Sequence, residues 1–441
     1  MPLFNKNATN IPEKDIIDLV QRHSHDLDRG LEPLLEKIGD ARIVLLGEAS
    51  HGTHEYYLWR SRITQRLVKE KGFKIIGVEG DWPDCYQINR YIRHYADSRP
   101  SAVEVLKEFD RWPSWMWANW EIAALMEWLK KYNSEKPFNQ QTGFYGLDVY
   151  SLWESLEAII EYVRKHDPDA TAAAVEALQC FEPYQREGST YASAARFVPD
   201  SCKKEVLDVL RKIRMRVPMY NSDPEAPFSA EQNAMTAVNA ERYYRSMIEG
   251  GPESWNIRDT HMTDTLEKLL DFHGPDSRAI VWEHNTHIGD ARATGMSRSG
   301  MVNVGQLVRE KWGRSNSVLV GFGSYEGSVI AGRGWGSSME EMEVPPARED
   351  SWEAILHQSD PKNKLIITSE LRKESMMTQH FNHRAIGVVY DPELEYRRNY
   401  VPSLMTERYD AFLFLDKSQG LHPVKGKADV SKTPETYPWG I

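Results

Sequence analysis

Two blocks of the chain concentrate ionisable side chains at short spacing. One is Gly47-Glu48-Ala49-Ser50-His51-Gly52-Thr53-His54-Glu55, and the other is Glu283-His284-Asn285-Thr286-His287-Ile288-Gly289-Asp290. Each holds two histidines three residues apart and each follows a short apolar run. Glu79 and Asp81 follow a third such run, and Asp148 a fourth. Histidine, with an ordinary pKa of about 6.5, is the natural general base near neutral pH. Such a base needs a carboxylate to orient its ring and fix its tautomer. Glu48 and Glu79 can supply that to His51 if neighbouring strands bring their ends together. Arg60 follows His51 by nine residues in a helical pattern, and its fork of donors suits a substrate carbonyl or a developing oxyanion. The pairs Glu48-x-x-His51, His51-x-x-His54 and His284-x-x-His287 would also serve zinc, manganese or iron, so a metal-assisted hydrolase stays open as an alternative. Other constellations are missing. There is no P-loop, no G-x-G-x-x-G and no H-E-x-x-H. The nearest approach to a nucleophile elbow, Gly295-Met296-Ser297-Arg298-Ser299, lacks the last glycine. Ser50 adjoins His51, but adjacent side chains near a strand end diverge, which makes a poor dyad.

The elements that must position these residues are legible as pattern. Seven short apolar runs end abruptly in polar clusters: 42–47, 74–78, 143–147, 279–282, 318–322, 385–390 and 411–415. Runs this short and continuous suit strands buried on both faces. Helical patterns at 54–71, 121–132 and 302–312 alternate with them, which predicts an α/β fold: a three-layer core with a largely parallel sheet. Ligands in such sheets bind beyond the carboxyl ends of the strands, where the ionisable clusters fall. The stretch 151–274 differs. It shows consecutive helical patterns at 152–165, 170–181, 203–217, 230–249 and 258–272, with Pro168, Pro183, Pro199, Pro218 and Pro224 at the junctions. It reads as a large helical insertion, a lid or cap, in a core made of 1–150 and 275–441. Residues 323–348 are glycine-rich and read as a hairpin or mobile loop. The tail from Lys417 reads as polar and irregular.

Composition narrows the function classes. The 441 residues include 54 Lys+Arg and 65 Asp+Glu, a formal net charge of −11. That balance argues against a nucleic-acid partner, whose footprint is basic. Aromatics are too frequent, and charges too mixed, for a disordered chain. No apolar run is long enough for a signal peptide or a membrane span, and no membrane partner is expected. Cys85, Cys180 and Cys202 are scattered and odd in number, which reads as structural thiols of a cytoplasmic protein. Trp112, Trp115, Trp117, Trp120 and Trp128 crowd one stretch and could line a ligand pocket or pack a junction. Nothing in the sequence fixes an oligomeric state.

The segments LLGEASHGTHEYYLWRSRITQRLVKEKGFKIIGVEGDWPD, WMWANWE, RDTHMTDTLEKLL and EHNTHIGDAR together resemble the erythromycin esterase family, in order and spacing, across nearly the whole chain. The resemblance implies a metal-independent esterase that uses no cofactor, acting on a small-molecule ester or lactone such as a macrolide. It implies that His51 activates water directly, without a covalent intermediate, and that Glu48 and Glu79 orient the base or the water. It implies further that Arg60, His284 and His287 bind the ester carbonyl and stabilise the tetrahedral oxyanion. Asp264 departs from the asparagine expected in the family's RDxxM helix. A binding protein for a polyketide-like ligand, without turnover, is the reading from another class. Turnover of an ester separates it from the esterase.

Overall fold

The computed structural model describes residues 13–166, 168–181, 223–247, 250–374 and 379–425. The expected helix at 203–217, Cys202 and the prolines at 183, 199 and 218 lie outside them. The strands are β1 (Ser24–Asp26), β2 (Ile43–Leu46), β3 (Ile75–Asp81), β4 (Gly143–Asp148), β5 (Ala279–Trp282), β6 (Ser317–Gly332), β7 (Met339–Val344), β8 (Lys364–Ile366), β9 (Phe381–Arg384), β10 (Tyr400–Ser403) and β11 (Ala411–Ser418). β9 and β10 pair with each other. The other nine form one sheet in the order β1-β8-β11-β6-β2-β5-β3-β4, with β7 added on β6. The six strands from β11 to β4 are mutually parallel. β8 runs antiparallel to β11, and β1 to β8.

Alternation within the strands creates the layers. Val44, Leu46, Ile76, Val78, Ile280, Trp282, Val318 and Val320 point into one core cluster. Their neighbours Ile43, Leu45, Ile75, Ala279, Val281 and Leu319 point into another on the opposite face. A strand with both faces covered can be apolar at every position, which is why the runs were readable. The helices His54–Lys71 and Trp120–Ser134 cover the first face. Glu253–Phe272 and Val304–Trp312 cover the second.

Between β4 and β5, the helices Leu152–His166, Pro168–Phe181 and Ala226–Met247 bury a separate cluster that includes Trp153, Phe181, Tyr243 and Tyr244. The next helix, Glu253–Phe272, instead packs Met262, Leu266, Leu269 and Leu270 on the sheet.

Two expectations change, and one choice between alternatives is decided. The apolar run 385–390 is not a strand. Its backbone serves loops instead: Ile386 N–H donates to the Ala49 carbonyl at 2.8 Å, and the Val388 carbonyl accepts from Gly332 N–H at 2.9 Å. The glycine-rich stretch is an ordered hairpin, since β6 runs unbroken to Gly332 and β7 returns antiparallel against it. Cys180 is disulfide-bonded while Cys85 is a buried thiol outside any disulfide, which removes the cysteine argument for a reducing compartment. No helix among the described residues is long and apolar enough to cross a membrane.

Candidate active site

Strand register sets the height of the site. Leu46 of β2 pairs with Trp282 of β5, and Trp282 with Val78 of β3, so β2 and β5 end level while β3 runs on to Asp81. The residues at and beyond these strand ends converge: Glu48 and His51 after β2, Glu79 in β3, Asp148 at the end of β4, and Glu283, His284 and His287 after β5. Pairing continues one step beyond the strands, where Asn285 N–H donates to the Glu48 carbonyl at 2.8 Å.

The β2 arm is a base with its support. His51 Nδ1 lies 3.0 Å from Glu48 Oε1, and the other Glu48 oxygen accepts from Arg60 Nη2. A carboxylate at Nδ1 makes that nitrogen the donor, so Nε2 carries the lone pair. His51 Nε2 is buried and has no hydrogen-bond partner. The Arg60 guanidinium is packed beside the Tyr57 ring at 4.4 Å and the Trp282 ring at 4.7 Å. Its Nε and Nη1 are buried without partners, two fixed donors still to be used. Gly52 turns this loop against β6, where a Cβ would collide with the Ile330 backbone carbonyl.

The second arm is built around a residue with no assigned role in the sequence reading, Arg258. It pairs with Glu79 Oε1 at 2.6 Å and with Asp148 at 2.7 and 3.0 Å. Its Nη1 lies 3.0 Å from His287 Nε2. Asp259 accepts from His287 Nδ1 at 2.9 Å and from Val304 N–H at 3.0 Å. The His287 ring stacks on Trp255 with centroids 4.6 Å apart. Glu79 Oε2 accepts the His284 backbone N–H at 2.7 Å. The His284 and His51 rings meet at 5.0 Å. All of these side chains are 0–2% exposed.

Burial and neighbouring charge set the protonation states. Burial, reinforced by the adjacent His51, holds His284 well below the ordinary histidine range, so its ring is neutral. Thr286 N–H points at its Nδ1, 3.3 Å away. Nδ1 therefore accepts, and the unpartnered Nε2 carries a proton. Burial opposes the Glu79 charge, but His287, Arg258 and His51 outweigh it and keep this carboxylate ionised. Burial also opposes a charge on His287, and there Asp259 and Glu79 prevail, raising its pKa. The direct contact with Arg258 suits the neutral ring, and a proton on Nε2 would turn to Glu79 Oε1, 3.5 Å away. Burial and three nearby carboxylates push Glu283 far above the ordinary carboxylate range, which makes it a neutral acid.

Several ionisable residues near these loops face elsewhere. His54 Nδ1 contacts Glu121 at 2.6 Å. Glu55 accepts from Gln419 N–H, Asp290 pairs with Arg292 and Arg309, and Asp81 with Arg111. Ser50 Oγ is bonded to Thr53 Oγ1, not to His51. Of the tryptophans, Trp112, Trp115 and Trp117 are core residues, and Trp117 Nε1 donates to the Glu79 carbonyl at 3.0 Å. Trp120 is 54% exposed.

The geometry can be set beside known proteins. A sequence model of the erythromycin esterase family matches residues 68–418. The chain belongs to the erythromycin esterase family. That stretch carries Glu79, Arg258, Asp259, His284 and His287, while Glu48, His51 and Arg60 precede it. The chain is 24% identical to an erythromycin esterase type II of Escherichia coli over 328 residues, covering 70% of this chain and 75% of the relative. It is 20% identical to the putative hydrolase YbfO of Bacillus subtilis (strain 168), covering 94% of this chain and 93% of that one. A succinoglycan biosynthesis protein has a similar structure, with a TM-score of 0.77 and 22% identity, over 95% of this chain and 100% of the other. An open conformation of the erythromycin esterase EreC gives a TM-score of 0.62 at 17% identity, covering 93% and 98%. Membership of this family supports a hydrolase with a small-molecule substrate.

Proposed function

We propose that the protein hydrolyses a carboxylic ester or macrolactone by water activated at His51, without a covalent intermediate. The observation that carries this reading is the pair of ring nitrogens at the site. His51 offers an unpartnered buried lone pair, and the neutral His284 beside it offers an unpartnered N–H. Base and carbonyl donor are thus neighbours.

Water held at His51 Nε2 attacks the carbonyl carbon and gives its proton to that nitrogen. Oxygen of the former carbonyl becomes an oxyanion, facing His284 Nε2–H and the free Arg60 donors. Collapse breaks the ester C–O bond, and the departing alkoxide takes the proton back from His51. The products are a carboxylic acid and an alcohol, or one hydroxy acid from a lactone. Glu48 keeps His51 in the reactive tautomer. Glu79 holds the His284 backbone and the Arg258–His287 pair. General-base catalysis is worth about 10²–10⁴-fold and oxyanion donors about 10²–10³-fold more. The closed site needs a cover that moves, and we assign that role to the helical segment between β4 and β5, whose separate core lets it shift without opening the sheet. Glu253–Phe272, which carries Arg258 and Asp259, belongs with the catalytic layer in this reading. Metal-independence is supported by Arg258, whose charge lies against His287 Nε2 and Glu79, where a metal on those ligands would meet a fixed cation.

The test is a mass-spectrometric screen of activated esters, lactones and macrolides, with His51→Ala as the blank and a chelated sample in parallel. Hydrolysis should vanish in the variant and survive chelation. A folded His51→Ala protein that keeps substantial activity would remove His51 as the base.

A further inference from the structure

We propose a second, separate site: His54, Glu121 and His422 form a surface-facing centre for a zinc-class divalent cation that clamps the chain after β11 onto the His51 loop. Among the described residues, these three bring one ligand atom each to within 4.8 Å of one another. His54 Nδ1 is 2.6 Å and His422 Nδ1 2.7 Å from the same oxygen, Glu121 Oε1. The two rings stand nearly perpendicular, at 83°, with centroids 5.2 Å apart. They approach one carboxylate from different directions, as tetrahedral ligands do.

Two neutral imidazoles and one carboxylate sum to a charge of −1, which complements a dication. Nitrogen with one oxygen is a donor set that zinc and cobalt accept. Metal–ligand bonds of about 2.0–2.1 Å would open the N···O separations to roughly 3.3 Å, and the two histidine nitrogens, within 4.8 Å of each other, would settle at the same separation. Glu121 is held in place, 5% exposed, in the first turn of a helix capped by the Asn119 side chain. The His54 and His422 side chains are 27% and 61% exposed, so the fourth position faces water.

The three ligands come from three places in the chain. His54 opens the helix behind the catalytic loop, Glu121 belongs to the helix Trp120–Ser134, and His422 lies in the segment after β11. That segment already bonds to the first two. His54 N–H donates to the Gln419 carbonyl at 2.9 Å, Leu421 N–H to the Gly52 carbonyl at 3.0 Å, and Trp120 N–H to the His422 carbonyl at 2.9 Å. Gly52 adjoins His51. A cation here would lock the segment after β11 on the backbone of the His51 loop without touching the chemistry.

The experiment uses the tag-free full-length protein stripped by chelation, titrated calorimetrically with Zn²⁺, with Co²⁺ absorption as the coordination readout. Wild type should take up one equivalent, give a tetrahedral Co²⁺ spectrum and melt at higher temperature with metal. Loss of a direct ligand should weaken binding by at least about 100-fold, beyond the about 10–100-fold typical of outer partners, in both His422→Ala and Glu121→Gln. His422 is exposed, so its variant should fold. Absence of a stoichiometric equivalent in wild type overturns the proposal, and shows that the three side chains are joined by hydrogen bonds alone. Unchanged affinity in folded His422→Ala, with loss in His51→Ala, also overturns it by moving the metal to the other histidines.

Discussion

Glu48→Gln is the sharpest perturbation of the proposed base, because both carboxylate oxygens are committed as acceptors. One receives His51 Nδ1–H at 3.0 Å and the other receives Arg60 Nη2. An amide replaces one acceptor with a donor, so one contact must fail. If the amide NH₂ faces Arg60, a fully buried guanidinium loses its partner, at a cost of about 3–5 kcal/mol. If it faces His51, the ring must present a lone pair at Nδ1 and carry its proton on Nε2. That exchange keeps both contacts of the residue-48 side chain and leaves the Arg60 charge paired with an acceptor, so it wins. The resulting tautomer has no lone pair where the water must be deprotonated. The expected loss is most of the general-base contribution, about 10²–10⁴-fold in kcat, or roughly 3–5 kcal/mol. KM should change little, since Glu48 touches the base and not the substrate. The assay is steady-state hydrolysis of an activated ester, with thermal melting confirming a native fold. A Gln variant that melts like wild type and keeps kcat within about fivefold would refute both the tautomer argument and the role of His51.

Two further outcomes follow from the network. Asp259→Asn places a donor against either His287 Nδ1 or Val304 N–H, and such a buried mismatch costs about 1–3 kcal/mol. We expect kcat/KM to fall about 5- to 150-fold, and unchanged kcat/KM in a folded variant would make Asp259 merely structural. His261 is buried beside Asn239, and burial pushes its pKa down to about 4. Between about pH 6.5 and about 4 the unfolded chain binds a proton that the folded chain refuses, so stability falls as the pH drops through that window. His261→Gln cannot titrate. Across the window its urea-measured stability should decline by about 3 kcal/mol less than that of wild type, and parallel curves would contradict this.

What the sequence disclosed was what burial disclosed. Six of the seven apolar runs are strands of the sheet, because parallel strands covered on both faces stay apolar throughout. The seventh, 385–390, is equally apolar but spends its hydrogen bonds on the Ala49 and Gly332 loops, a difference no pattern of side chains records. β1 and β8 escaped because three-residue strands carry too little pattern. The catalytic candidates were legible from position alone, at the carboxyl ends of β2, β3 and β5. Arg258 and Asp259 were not, since an Arg–Asp pair inside a helix looks like any solvated pair. Their signal was present in the RDTHM segment that carried the family resemblance, but its chemistry appears only when that helix lies across Asp148 and Glu79. His54 shows the converse: its spacing from His51 suggested a shared site, yet as the first residue of its helix it turns toward Glu121.

Strand order, which spacing could not give, is what makes the site possible. Neighbouring strands are about 4.8 Å apart, and the His51 and His284 rings are separated by 5.0 Å. β5 pairs directly with β2, which lets the two rings meet at that distance. On its other side the His284 backbone reaches Glu79 of β3 at 2.7 Å, again a nearest-neighbour contact. Had β5 joined the edge beyond β4, roughly three strand spacings, or about 15 Å, would have separated base and carbonyl donor, too far for one ester group to meet both. The chain instead leaves a gap between β2 and β3 and fills it only after the helical segment, at residue 279. A late strand entering an early gap therefore sets base and carbonyl donor side by side. It also ties the site to the described helices between β4 and β5, which the chain must traverse before it reaches the gap.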